Sequence, residues 1–282
     1  MIESRPSATA QRVAMRRAAH QLLDWPPVFE DPLAVSILGA EEAEALRADP
    51  TRNDRSPASP YLRAFFAVRS RFAEDTLADL VVRGLDQYVI LGAGLDTFAY
   101  RATASRLRVF EVDHPATQAW KRRRLDEAGI TMPAGVALVP VNFEQQNILE
   151  ELRGAGLDPA RATFFSWLGV TPYLSREAVD ETLRLVSSFP RSSGIVFDYG
   201  IHPDAVQGRE RELYDRMAGR VASLGEPWRT FFHPGELSAQ LSGLGFSIVE
   251  ELAGEEINRR YFTGRNDGLR VGRLSRLMRA EV

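Results

Sequence analysis

Gly92-Ala93-Gly94, Glu111, Asp113 and Arg69 are the residues whose types and spacing can do chemistry together. A turn with two glycines lets backbone approach a ligand where a Cβ would collide. Glu111 and Asp113 follow about 20 residues later, the interval at which a carboxylate meets ribose hydroxyls in an α/β fold. A dinucleotide fingerprint needs a third glycine where this chain has Thr97, because a pyrophosphate must lie against the helix start. That departure points to a nucleoside without phosphates, of which S-adenosylmethionine is the common one.

These residues need elements to hold them. The spacing predicts strands at Tyr88–Leu91, Arg108–Val112, Val136–Pro140, Thr163–Trp167 and Ile195–Tyr199, each short and apolar, as strands covered on both faces should be. Helices at Ala116–Ala128, Ile148–Leu152 and Arg176–Ser187 alternate with them, which implies a parallel sheet with right-handed crossovers. Ser59 as N-cap and Pro60 in the first turn open a helix that ends at Gly84. Its apolar stripe includes Leu62, Phe65, Phe66, Phe72, Leu77 and Leu80, and Arg69 lies within about 20° of the centre of that stripe. An arginine on a buried face needs an anion.

Beyond Gly200 an irregular insertion runs to His233 with a helix near Arg209–Leu224. A last helix is expected at Pro234–Gly243, a sixth strand at Phe246–Leu252 and a seventh within Arg259–Met278. Ala10, Val13, Ala14 and Ala18 fall at helical spacing, and prolines interrupt the chain from Pro26 to Pro60. Residues 1–58 therefore read as an N-terminal helical cap, and 59–282 as the binding domain with the 200–233 insertion forming part of the acceptor pocket.

Composition excludes several function classes. The 282 residues carry a net charge of −3 with interspersed signs, against the concentrated basic face of a nucleic-acid binder. With no cysteine, disulfides, thiolate metal sites and thiol catalysis are excluded, and His20, His114, His202 and His233 are too dispersed for a zinc site. Lys121 is the single lysine among 35 basic residues, so a Schiff-base nucleophile has almost no source. No run approaches the roughly 20 apolar residues that span a bilayer, so neither a membrane nor a nucleic acid is expected as partner and a cytoplasmic location is.

An ordered set of motifs resembles one family closely: Leu91-Gly92-Ala93-Gly94-Leu95-Asp96-Thr97, Phe110-Glu111-Val112-Asp113-His114-Pro115, Val141-Asn142-Phe143 and Trp167-Leu168-Gly169-Val170-Thr171-Pro172-Tyr173-Leu174. It is similar to the leucine carboxyl methyltransferase group, which also holds polyketide-tailoring O-methyltransferases. The resemblance implies an α/β class I methyltransferase fold, a Rossmann-like, seven-stranded, mostly parallel sheet with helices on both faces. It implies S-adenosylmethionine as cofactor, gripped at its methionine carboxylate by Arg69, lined by Gly92, Ala93, Gly94 and Phe143, and held at the ribose by Asp113. Two positions depart from the pattern. Asn142 replaces the family's Asp beside the adenine amino group, where its side-chain oxygen can still accept. Leu168 replaces a Glu, which leaves the contact to the loop backbone or to Trp167.

A carboxylate acceptor needs no general base for methyl transfer, whereas a phenol or alcohol benefits from one. Tyr199 and His202, at the end of the fifth strand, are the candidates, because strand ends face the ligand crevice. His233 is a further pocket candidate and Arg17 a second contact for the cofactor carboxylate. The expected activity is methyl transfer to an oxygen, carboxylate or hydroxyl, of a small molecule. The alternatives are a protein C-terminal carboxyl methyltransferase and a non-catalytic S-adenosylmethionine-binding scaffold, with a nicotinamide oxidoreductase disfavoured by Thr97.

Overall fold

A computed structural model describes residues 7–54, 56–101, 106–223 and 225–282. Seven strands, β1 (Gln87–Leu91), β2 (Arg108–Asp113), β3 (Val136–Pro140), β4 (Thr163–Trp167), β5 (Gly194–Asp198), β6 (Ile248–Ala253) and β7 (Arg276–Glu281), form one sheet in the order β3-β2-β1-β4-β5-β7-β6. β1 to β5 are parallel, and β7 runs antiparallel to both β5 and β6.

The strands are apolar on both faces because both faces are covered. Tyr88, Ile90, Val109, Phe164 and Val196 enter one apolar cluster, while Val89, Leu91, Phe110, Phe165 and Ile195 enter the other. This is the period of two expected when alternate side chains point to opposite sides of a pleat. The first cluster packs under α1 (Ala8–Leu23), α3 (Ser59–Val82) and α5 (Pro115–Glu127), and takes in Leu46 of α2 (Ala40–Ala48) and Ala99 of α4 (Phe98–Arg101). The second packs under α6 (Ile148–Gly154), α7 (Arg176–Ser187) and α9 (Glu236–Gly243), with Tyr214 of α8 (Gly208–Ala222).

Some boundaries differ from the sequence reading. Ser59 is the first residue inside α3 rather than its N-cap, since Ala58 occupies the cap position without a side-chain hydrogen bond. Gly84 does stop this helix: its φ is +96°, and the following Leu85 N–H returns to the Leu80 carbonyl. Most of the 259–278 stretch is not strand. It begins as the end of α10 (Gly254–Tyr261), and β7 starts only at Arg276. Among the expected segments, residues 1–6 and Arg55 of the cap and Leu224 at the end of the insertion helix lie outside the described residues. No helix among the described residues is long and apolar enough to cross a membrane.

Candidate functional site

The strand order reverses beside β1, whose neighbours β2 and β4 are followed by crossovers to opposite sides, and an open α/β sheet forms its ligand crevice at such a point. A cleft of about 430 Å³ lies there. Gly92, Ala93 and Gly94 after β1, Asp113 ending β2, Asn142 and Phe143 after β3, and Leu168 after β4 all line it, together with Arg69 from α3.

Glycine is required at two of the turns. Gly92 has φ +69°, and a Cβ there would stand 2.3 Å from Val170 Cγ2. Gly169 has φ +74°, and its Cβ would stand 2.8 Å from both terminal nitrogens of Arg69. The β1 and β4 turns are thus pressed against their neighbours by backbone alone.

Asp113 ties the glycine turn to the end of β2. Its Oδ2 accepts the Gly94 N–H at 2.6 Å and its Oδ1 the His114 N–H at 2.6 Å. Burial raises its pKa, and these two backbone donors do not fully offset that. Each carboxylate oxygen retains a second lone pair, so a ribose diol is compatible with both bonds.

Arg69 is buried, as its place on the helix requires, and its anion is Asp198, with Nη1 3.0 Å from Oδ2. Asp198 also accepts the Gly169 N–H at 2.5 Å, which fixes the β4 loop against the arginine. The guanidinium lies over the Phe66 ring at 4.6 Å. Asp198 was not among the sequence candidates. Its signal was an acid ending a buried apolar strand, which needs a cation just as Arg69 needs an anion.

Arg17 lines the cleft as well, paired with Asp31 at 2.5 Å and with Asp96 at 3.3 Å. Thr97, in place of a third glycine, is fully buried and donates its hydroxyl to Asp31 at 2.7 Å. At Asn142 the side-chain oxygen already accepts the Glu144 N–H at 3.1 Å, closing a turn and leaving one lone pair.

Five candidates, Glu111, Trp167, Tyr199, His202 and His233, lie elsewhere. Glu111 is not a ribose carboxylate: it is buried in the sheet, 2.6 Å from Lys121 Nζ, and accepts the Tyr100 hydroxyl at 2.9 Å. Trp167 does not line the cleft; it is fully buried in the second apolar cluster beside Phe197, because its side chain alternates away from Ser166, which does line it. Tyr199 is buried against Phe232 and donates its hydroxyl to Glu251; burial first, then that carboxylate, raises its pKa far above the ordinary phenol value. His202 stacks on the exposed His233 with ring centroids 4.4 Å apart, and its Nδ1 accepts the Asp204 N–H. Tyr199, His202 and His233 are therefore outside the cleft lining.

Residues 10–187 match the leucine carboxyl methyltransferase family. The chain is 33% identical over 291 residues to YktD of Bacillus subtilis, which bears the name of an S-adenosyl-L-methionine-dependent methyltransferase, with 95% of each chain covered. The chain belongs to the leucine carboxyl methyltransferase family. A Mycolicibacterium smegmatis protein that also bears an S-adenosyl-L-methionine-dependent methyltransferase name is 32% identical over 225 residues, covering 76% of this chain and 68% of the relative. Among solved structures, a DUF574 family protein from Streptomyces avermitilis superposes with a TM-score of 0.59 at 16% identity, covering 100% and 99% of the two chains. A protein named as a methyltransferase from Thermobifida fusca does so with 0.59 at 17% identity, covering 99% and 95%. At those identities the likeness concerns the fold, which is the class I methyltransferase fold. The methyl donor of this family member is S-adenosylmethionine.

Proposed function

We propose that the chain is an S-adenosylmethionine-dependent O-methyltransferase acting on a small molecule, with the cleft at the carboxyl ends of β1, β2 and β4 as its cofactor site. The observation that carries this reading is the convergence of Arg69, Gly92, Ala93, Gly94, Asp113, Asn142, Phe143 and Leu168 on one cleft of about 430 Å³, within the ordinary size of a ligand pocket. The donor set suits the cofactor. Arg69 spends one N–H on Asp198 and has others for a carboxylate, which a guanidinium meets with two parallel bonds. Asp113 takes the ribose hydroxyls, Asn142 its share of the adenine edge, and Phe143 and Leu168 the apolar surface of the base. When bound, S-adenosylmethionine supplies a methyl group on a positively charged sulfur, open to in-line attack.

The chain's own task is to align the acceptor oxygen with that methyl and to keep water out. Residues 1–58 and the 200–233 insertion serve as the cover. Thr9, Ala10, Val13 and Ala14 of α1 line the cleft with Glu226 and Pro227, and the Thr9 N–H donates to Glu226 at 3.0 Å.

The acceptor oxygen is a carboxylate or a hydroxyl, since His114, Glu144 and Glu226 line the cleft and can accept a proton there. The two bases expected from the sequence, Tyr199 and His202, stand away from the cleft, and the phenol that lines it, Tyr173, has its pKa raised by burial. A carboxylate ionises without help near pH 4 and needs no base at neutral pH.

Calorimetric titration of S-adenosylhomocysteine into the wild type, Arg69→Lys and Arg69→Ala tests the reading, with NADH as control. Micromolar binding that weakens in Arg69→Lys and collapses in Arg69→Ala supports it. Absence of binding in the wild type, or binding of NADH alone, overturns it.

A further inference from the structure

Five charged side chains and the Thr97 hydroxyl join α1, the loop after it and α3 to the turn that follows β1. Arg17 Nη2 meets Asp31 at 2.5 Å, Thr97 donates to the same carboxylate at 2.7 Å, and Arg17 Nη1 reaches Asp96 at 3.3 Å. Arg101, the last residue of α4, pairs with Glu74 of α3 and lies 3.5 Å from Asp31. The signs do not balance: Arg17 and Arg101 stand against Asp31, Glu74 and Asp96. Lys121 and Arg69 add nothing to this balance, being matched by Glu111 at 2.6 Å and by Asp198 at 3.0 Å.

The surplus carboxylate can be located. Asp31 is wholly buried, with Oδ2 on Arg17 and Thr97 and Oδ1 on the Leu33 N–H at 3.1 Å. Glu74 takes both terminal nitrogens of Arg101. Among the described residues Asp96 holds only the Phe98 N–H, at 2.8 Å, and the long contact to Arg17. It alone of the three acids lines the cleft, and its side chain is 18% exposed. Burial opposes its ionisation, but Arg17, Lys121 and Arg101 together outweigh burial and hold its carboxyl below the ordinary pKa. A part-buried carboxylate with spare lone pairs and no cation of its own is unfavourable until a cation joins it.

The position fits one such cation. The Asp96 N–H returns to the Ala93 carbonyl at 2.7 Å, so this carboxylate is set by the same turn that carries the glycines of the cleft. Its partner Arg17 belongs to α1, on the side of the sheet from which α3 brings Arg69 into the cleft. The other acids of the cleft are placed differently: Asp113 ends β2, Glu144 pairs with Arg229, and Glu226 accepts the Thr9 N–H. The methionine end of S-adenosylmethionine carries a carboxylate and an ammonium on one carbon, so a carboxylate for Arg69 brings an ammonium with it.

We infer that Asp96 binds the ammonium of S-adenosylmethionine, with Arg17 and the Phe98 N–H orienting its carboxylate, so that the methionine end is held as a zwitterion between Asp96 and Arg69. The inference rests on the cofactor reading above and names a further positioning residue of that site.

The test is calorimetric titration, at neutral pH, of wild type and Asp96→Asn with S-adenosylmethionine, S-adenosylhomocysteine and deaminated S-adenosylhomocysteine, in which hydrogen replaces the amino group. Asparagine keeps the shape and the acceptor for the Phe98 N–H. Asp96→Ser, whose hydroxyl also caps that N–H, is the second variant, and circular dichroism and Tm are recorded for both. The wild type should prefer S-adenosylhomocysteine over the deaminated ligand by about tenfold or more, as expected for a charge-assisted hydrogen bond. In the variants that preference should fall to within about twofold, while the deaminated ligand binds as it does to wild type, which also shows that the cleft is intact. A wild type that binds both ligands alike overturns the assignment whatever the variants do. Variants that keep the full preference also overturn it, since the ammonium would then rest on backbone carbonyls. Variants that weaken S-adenosylmethionine but not S-adenosylhomocysteine overturn it too, placing Asp96 on the sulfonium instead. A wild type that binds none of the three ligands overturns the cofactor reading itself.

Discussion

Glu111 and Asp113 lie two residues apart on β2 and point to the same side of the sheet, yet they stand in different chemical surroundings. Glu111 is one pleat further in, where Lys121 and Tyr100 close a network around it. Asp113 is the last residue of the strand, where only backbone N–H groups meet it and one side remains on the cleft. The same contrast separates the middle of the sheet from its carboxyl edge as a whole. In the middle, Glu111 is shut in by Lys121, Tyr100 and the sheet and faces no cleft; at the edge, Asp113 and the Arg69–Asp198 pair line the cleft or adjoin its lining and keep bonding capacity for a ligand.

The largest effect that would break this comparison is at Arg69. Arg69→Ala should weaken S-adenosylhomocysteine binding by at least a hundredfold and Arg69→Lys by about tenfold, since lysine keeps the charge but not the fork, a loss of roughly 1.4 kcal/mol per factor of ten. Because Arg69→Ala strands the buried Asp198, its circular dichroism spectrum and Tm must be recorded beside the titration.

Next come the two acids of β2. Glu111→Gln should cost about 3 kcal/mol of unfolding free energy in denaturant melts, as expected for uncovering one partner of a buried pair, with cofactor affinity within twofold of wild type. Asp113→Asn should do the opposite, weakening S-adenosylhomocysteine by about tenfold with a smaller stability change. If both variants altered affinity alike, the edge and the middle would not be functionally distinct.

A pH series sharpens the point. The folded pKa of Asp113 is raised, so the apo protein binds a proton there more readily than the unfolded chain. Its contribution to apo stability therefore rises as pH falls from the folded pKa toward the ordinary aspartate value of about 3.9, whereas the ionised acceptor needed for ribose is lost over the same window. Cofactor affinity should decline with acidification from above the usual aspartate range, and Asp113→Asn should flatten that decline in titrations from pH 8 down to pH 5.

The smallest effects are expected at the strand-end candidates. Tyr199→Phe and His202→Ala should leave methyl-transfer kcat within about twofold once an acceptor is found, because neither side chain lines the cleft. A tenfold fall in either would restore that residue as a base.

Much of the sheet was legible because strands covered on both faces must be apolar throughout, and Val136–Pro140 and Thr163–Trp167 have no other reading between their turns. The tail was less legible because β6 and β7 carry Glu250, Glu251, Arg276 and Arg279, whose charges pair across the strands or with neighbours and blur the apolar pattern. Trp167 was misread for a related reason: neighbouring residues at a strand end face opposite ways, and sequence alone does not tell which way faces the ligand.

Local chemistry in the sequence determined the α/β alternation, the glycine turn, the acid at the end of β2 and the burial of Arg69, since each follows from residue type and period. Tertiary structure alone decided the partners: Asp198 for Arg69, Lys121 for Glu111 and Glu251 for Tyr199. The reason is physical. A residue's face is set by the dihedral angles of its own element, whereas its charge partner depends on how elements distant in sequence pack, and the period of one helix carries no record of the other.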